Sequence, residues 1–244
     1  MFVAFIIISN WKVYDYTTSW GAKRLFKGSS DKFDWENKAT SLYCLVTGNI
    51  SSDVRTVIST LAHLSKHYQG VFYSIGPLEY NSEGDIHART EAISKACRRI
   101  RNVAVLHQHV VIIDGVAVLG CNGWFGDAPE THDIDEARFH QIEDLRYLVN
   151  SIEKLQKHLD VKKIMIVSGS VPDPGLYFGE APKGIEKQIP LNITLDSDTQ
   201  HKISHWVFGS HKKIVDITHN NINYLNNPYC KNTPYWARRI EVEV

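Results

Sequence analysis

The sequence predicts an α/β fold in which two mixed β-sheets pack face to face with flanking helices on the outside. Three observations carry that prediction. Short runs rich in β-formers alternate with segments of helical period through most of the chain. One pair of strands is joined by Asp114-Gly115, a two-residue hairpin signal. The last third returns to strands and turns.

Each element follows from its own pattern. Residues 3–9 are a short apolar run and read as a buried strand, one face of a short helix being the alternative. Residues 10–40 are polar, aromatic and rich in Gly and Ser, long for a loop, with a short helix expected near 19–26. Residues 42–47 form the second buried strand. Over 51–68, Val54, Val57, Ile58, Leu61 and Leu64 share one helical face. Residues 71–75 make the third strand, completing a strand–crossover–strand–helix–strand opening. A helix is expected over 85–101, its Arg98, Arg99 and Arg101 suiting the negative helix end. Strands follow at 103–106, 109–113 and 116–120, the last two being the hairpin. Residues 136–159 give the clearest helix, with Phe139, Ile142, Leu145, Leu148, Val149, Ile152 and Leu155 as its apolar stripe. Further strands are expected at 163–168, 205–209, 213–218, 222–225 and 237–244, with 171–195 loop-like.

Composition narrows the class of protein. A chain of 244 residues that is 43% hydrophobic and 22% charged can bury a full core, and we expect one domain over 1–244. Lys+Arg and Asp+Glu are each 27, so the formal net charge is zero. That balance excludes binding to nucleic acid through bulk electrostatics and leaves only a local patch. The opening apolar run, 2–8, is far shorter than a membrane span and has no basic flank or cleavage pattern, so neither membrane anchor nor signal peptide is expected. Cys44, Cys97, Cys121 and Cys230 are scattered, with no CxxC pair, which suits a reduced, cytoplasmic protein without a structural zinc.

Five strand-end loops carry recognisable wording. They are Ile8-Ser9-Asn10-Trp11-Lys12, Thr47-Gly48-Asn49-Ile50, Ser74-Ile75-Gly76-Pro77-Leu78-Glu79-Tyr80, Val167-Ser168-Gly169-Ser170-Val171-Pro172 and Phe208-Gly209-Ser210-His211-Lys212. The hairpin before Gly120-Cys121-Asn122-Gly123-Trp124 and the late Asn227-Pro228-Tyr229 turn sit between and after them. In order and spacing the chain resembles the calcineurin-like metallophosphoesterases, above all their compact single-domain bacterial and phage forms. The resemblance implies a four-layer αββα sandwich. In that family the five blocks read Ser-Asp-x-His, Gly-Asp, Gly-Asn-His-Glu, Thr-His-His-x-Pro and Gly-His-Thr-His, and they supply the ligands of two metal ions and a catalytic histidine.

Carried over residue by residue, every expected ligand differs. Asn10 and Lys12 stand for the first Asp and His, and Asn49 stands for the bridging Asp. Pro77 and Leu78 replace the Asn ligand and the catalytic His, and Gly169, followed by Ser170, replaces a ligand His. Ser210 and Lys212 replace the last two histidines. A dinuclear hydrolytic centre needs carboxylate and imidazole donors. Each unit of charge on a divalent ion would meet about 4 kcal/mol of repulsion from a lysine ~4 Å away at an effective dielectric near 20. The implied protein is therefore a catalytically inactive member of this fold, without a cofactor, acting as a binding or assembly module. Its expected partner is another protein; a phosphate-bearing small molecule or nucleotide held by Asn10, Lys12, Asn49, Ser170 and Lys212 is the other ligand class. Membrane binding is not expected and nucleic acid is disfavoured. The competing function is a diverged metal-dependent phosphoesterase with an unorthodox site.

Other candidates were weighed against ordinary roles. His201 and His205 are spaced i, i+4, but His205 opens an expected strand and no carboxylate or cysteine matches them. His107 and His109 read as hairpin-edge residues, and His211 takes the place of a non-ligand Thr. Glu79, the surviving member of its block, is expected to orient its loop. Asp127, Glu130, Asp133 and Asp135 read as a solvated run before a helix. Lys12, Lys23, Arg24 and Lys27 among Trp11, Tyr14, Tyr16, Trp20 and Phe26 could bind single strands, but packing over a sheet edge explains them more simply. No phosphate-binding glycine loop and no Gly-x-Ser-x-Gly elbow occur.

Overall fold

The computed structural model describes residues 1–9, 41–81, 85–124, 134–177, 202–228 and 238–244. Expectations that fall on 10–40, including the helix near 19–26, Asn10, Lys12 and the basic–aromatic interleaving, lie outside the described residues.

β1 (Phe2–Ile8), β2 (Tyr43–Val46), β3 (Gly70–Tyr73) and β4 (Val103–Val105) run parallel in one sheet, and β11 (Arg238–Glu243) pairs antiparallel with β1. The second sheet has the order β5-β6-β7-β8-β10-β9. It contains β5 (His109–Ile113), β6 (Val116–Cys121), β7 (Lys163–Ser168), β8 (Ile203–Phe208), β9 (Val215–His219) and β10 (Ile222–Asn226). Within it β6, β7, β8 and β10 are parallel, while β5 and β9 are antiparallel edges. Helices α1 (Val54–Leu64) and α2 (Ile86–Cys97) cover the first sheet, and α3 (Ile134–Lys157) covers the second.

The side-chain alternation explains the layers. Phe5 and Ile7 enter the core between the sheets with Leu45, Val116, Val118, Val167 and Val207. Their neighbours Ile6 and Ile8 point the other way, into the layer with Val57, Leu61 and Ile93 of the helices. A strand buried on both faces must be apolar at successive positions, which is why β1 reads as an unbroken run. β6 does the same, with Ala117, Leu119 and Cys121 meeting Leu148 and Ile152 of α3. Asp114 (φ 47°) and Gly115 (φ 85°) form the left-handed turn that the hairpin signal demands. Asp53 caps α1 by accepting from Arg55 and Thr56, and Asp85 caps α2 by accepting from Ala88.

Two local expectations are corrected. On α3, Phe139 and Ile142 are exposed, at 61% and 39%, whereas Gln141 and Asp144 are buried, at 2% and 1%. The first half of the helix turns a polar face inward because the Asp144 carboxylate has buried donors to meet there. β9 begins at Val215 rather than 213. Lys213 is held in a turn, its N–H donating to His211 Nδ1 (3.0 Å) and its carbonyl accepting from Asn226 Nδ2 (2.9 Å).

Candidate functional site

The parallel strands of both sheets finish at one edge of the sandwich, the edge where α/β sheets place their ligand sites. The loops after β2, β3, β6, β7, β8 and β10 meet there. Their closest approach is backbone on backbone. A Cβ on Gly169 would lie 2.1 Å from the Ile75 carbonyl oxygen, one on Gly209 2.1 Å from that of Thr47, and one on Gly48 2.2 Å from the Gly76 nitrogen. Gly48 also has φ +68°. These glycines are the condition for four loops to cross at one point.

Polar side chains stitch the crossing together. Glu79 is fully buried. One of its oxygens accepts from Asn49 N (2.9 Å) and Gly76 N (3.0 Å), the other from Ile50 N (2.5 Å). It therefore ties the loop after β2 to the loop after β3. Burial pushes its carboxyl up to about 7, against the opposing pull of these backbone N–H groups. Asn49 Nδ2 donates to Ser210 Oγ (2.9 Å), and Asn49 Oδ1 accepts from Leu78 N (2.9 Å). Ser210 Oγ in turn donates to the Gly169 carbonyl (2.9 Å). The chain of bonds thus runs across four loops from both sheets.

A second group lies beside it. Asn122 Nδ2 donates to the Ile75 carbonyl (3.0 Å), and its carbonyl accepts from Ser170 N (2.9 Å). Ser170 Oγ donates to Asn122 Oδ1 (3.3 Å). Asp144, from α3, accepts from Gly123 N (2.9 Å) and Gln108 Nε2 (3.1 Å); burial raises its carboxyl to about 6. Sequence reasoning missed Asp144. The available signal was a polar pair, Gln141 and Asp144, at helical spacing from Ala137 and Leu148, which interrupts the apolar stripe.

Asn49 (φ 57°), Ser210 (φ 55°) and Trp124 (φ 51°) hold left-handed backbone at three of these strand ends. Asn tolerates that region; Ser and Trp are held there at a cost of about 1 kcal/mol or more each. Trp124 is buried, its ring 4.7 Å from that of Tyr80 and 5.5 Å from that of His140.

The expected positions therefore separate. Asn49, Leu78, Gly169 and Ser210 converge on one network, Ser170 belongs to its neighbour, and Pro77 starts the buried 3-10 turn Pro77–Tyr80. Lys212 is exposed. Glu79 orients its loop as anticipated. His211 is buried, bonded through Nδ1 to Lys213 and packed on Tyr177 at 5.3 Å. His205 Nδ1 bonds Ser204 Oγ (2.9 Å), and His109 is exposed. Asp135 lies in the first turn of α3 and is exposed, while His201, Asp127, Glu130 and Asp133 are outside the described residues.

The resemblance implies two divalent ions at this edge. The described donors do not fit them. Asn49 is neutral and both heteroatoms of its amide are engaged, the Ser210 hydroxyl proton is given to Gly169, and residue 169 has no side chain. Among the described residues no three of His, Cys, Asp and Glu are grouped to hold a metal. The Glu79 carboxylate spends its lone pairs on backbone amides.

No protein-family model matches the sequence, and no curated protein matches it either. Among solved structures, the chain is similar to phosphopantetheinyl hydrolase (PptH) from Mycobacterium tuberculosis. The match covers 97% of this chain and 95% of that one, with a TM-score of 0.66 and 10% identity. The chain shares the fold of that hydrolase, two mixed β-sheets face to face with helices outside. The αββα order of the described layers agrees with it, and at this identity the likeness concerns fold alone. Among the described residues no helix is long and apolar enough to cross a membrane.

Buried histidines give the fold a pH signature. Burial, with His140 and His87 nearby, lowers His107 to about 4; burial and Lys163 lower His205 to about 4. A histidine held below its ordinary 6.5 in the folded chain contributes stability that is complete above 6.5 and lost as pH falls towards 4. His107→Gln is expected to gain about 2 kcal/mol relative to the wild type between pH 7.5 and 4.5, read from urea midpoints across that range.

Proposed function

We propose that this chain is a catalytically silent metallophosphoesterase-type scaffold that acts by binding another protein. The observation that carries the reading is Asn49, at the position of the bridging carboxylate, with its amide turned into hydrogen bonds to Leu78 and Ser210. Supporting it are the glycine at 169, whose missing side chain is filled by the Ile75 backbone, and the apolar Leu78 at the position of the proton donor. A single lost ligand would suit a retuned hydrolase; simultaneous loss of the described donors suits reuse of the fold. The competing reading is a diverged hydrolase of phosphodiesters or nucleotides, the general chemistry that the name of the similar hydrolase suggests.

The test is elemental analysis after Mn²⁺ loading, with bis-p-nitrophenyl phosphate hydrolysis measured on the same sample. We expect no stoichiometric metal and no turnover above a chelated control. One or two metals per chain with chelator-sensitive turnover would overturn the proposal. Changing Asn49 to Asp alone is expected to leave turnover at background, since the partner ligands remain absent.

A further inference from the structure

The charge of the molecule is balanced overall but not at every end. α1 and α2 finish side by side at the edge of the first sheet opposite the loop crossing. Asn102, just beyond α2, joins them: its Nδ2 donates to the carbonyls of Ser65 (2.8 Å) and Tyr68 (2.7 Å), and its own carbonyl accepts from Val71 N at the start of β3 (2.8 Å). This end carries Lys66, Lys95, Arg98, Arg99 and Arg101, all exposed. Neither 54–70 nor 92–102 contains Asp or Glu. Among the described residues none of the five side chains makes a hydrogen bond or an ion pair.

Helix ends account for only part of this charge. Two helix C-termini together present about one negative charge, half from each. Five cations exceed that several-fold, in a protein that has as many acids as bases. Some exposed charges elsewhere are paired, as Arg146 is with Glu143 and Arg239 with Glu241. An uncompensated basic end on a neutral protein is a feature of association rather than of stability.

We infer that the joined C-terminal ends of α1 and α2 are a docking surface for an acidic, Asp/Glu-rich segment of a partner protein. Charge complementarity identifies the partner chemistry. Nucleic acid is the less suitable polyanion: the one Phe, Tyr or Trp in these segments, Tyr68, is buried at 5% exposure, so none of these rings is presented for base stacking. The zero net charge also provides no general field to draw in a phosphate backbone. The inference names the partner class for the binding role proposed above and places the contact away from the loop crossing. It does not depend on the absence of hydrolysis, so the metal and turnover assay can fail without affecting it.

The experiment is fluorescence anisotropy of the full chain with a short labelled Glu/Asp-rich peptide and, separately, with labelled single- and double-stranded DNA of similar charge. Affinity for the peptide is expected to fall with added salt. Arg98→Ser/Arg99→Ser/Arg101→Ser is expected to weaken it about tenfold, the loss suited to three exposed ion pairs. The control Lys154→Ser/Lys157→Ser, on the far end of α3, is expected to change it less than about twofold. Equal binding by the triple variant and the wild type would overturn the proposal, as would DNA binding more tightly than the peptide through the same arginines. The substituted side chains are exposed and unpaired, and circular dichroism verifies that the variant folds.

Discussion

Glu79→Ala is expected to destabilise the fold by about 4 kcal/mol. The carboxylate is fully buried and accepts from three backbone N–H groups, those of Asn49, Ile50 and Gly76. Alanine leaves those donors inside the protein without acceptors, at about 1–3 kcal/mol each before relaxation. Glu79→Gln keeps one acceptor oxygen but turns an NH₂ towards N–H donors, and an intermediate loss of about 2 kcal/mol is expected at pH 8. Because burial holds this carboxyl near 7, above its unfolded value of 4.5, the folded wild type takes up a proton below neutrality that the unfolded chain does not, so it gains stability between pH 8 and 5.5 and the gap to glutamine widens there. Urea midpoints of the three proteins at pH 5.5 and 8 are the measurement. A Glu79→Ala variant within about 1 kcal/mol of wild type would mean that the carboxylate does not hold the loops.

Gly169→Ala is expected to be at least as damaging, and Gly209→Ala similar. At both positions a Cβ would stand 2.1 Å from a backbone carbonyl oxygen, of Ile75 and Thr47 respectively. Those atoms belong to loops pinned by Glu79 and Asn49, so relief requires the two sheets' strand ends to move apart. Overpacking of this kind costs roughly 3 kcal/mol or more. Gly175→Ala is the control: its Cβ would meet the end of the Asp173 side chain at 2.9 Å, in an exposed turn, and a change below about 0.5 kcal/mol is expected. Thermal or urea unfolding of the three variants separates these outcomes. A Gly169→Ala protein as stable as Gly175→Ala would show that the crossing is loose. If the crossing is tight, no histidine side chain fits at position 169 without rebuilding its neighbours.

Much of the layering was legible in the chain. β1 and β6 announce themselves because a strand covered on both faces must be apolar at every position, and Asp114-Gly115 specifies its hairpin through the left-handed backbone it alone tolerates well. The helical period placed α1, whose Val57, Leu61 and Leu64 are buried as their spacing requires. Local pattern also identified the loops at the strand ends, which the structure brings to one edge.

Tertiary structure decided what the polar groups of these loops bond to. Glu79 meets the amides of Asn49 and Ile50 some thirty residues away, and Asn49 meets Ser210 from the other sheet (|i−j| of 30, 29 and 161). No short-range pattern encodes such pairings, because they exist only once β2, β3 and β8 lie in their sheets. The inward turn of Asp144 against the apolar stripe of α3 has the same origin: a buried Gly123 N–H needs an acceptor, and burial of that donor is a property of the packed layers. The sequence by itself determined most of the described strands and helices, through local period and side-chain chemistry. The packed structure decided that these strand-end loops close on one another, because only there do four glycine-bearing loops from two sheets reach the same point.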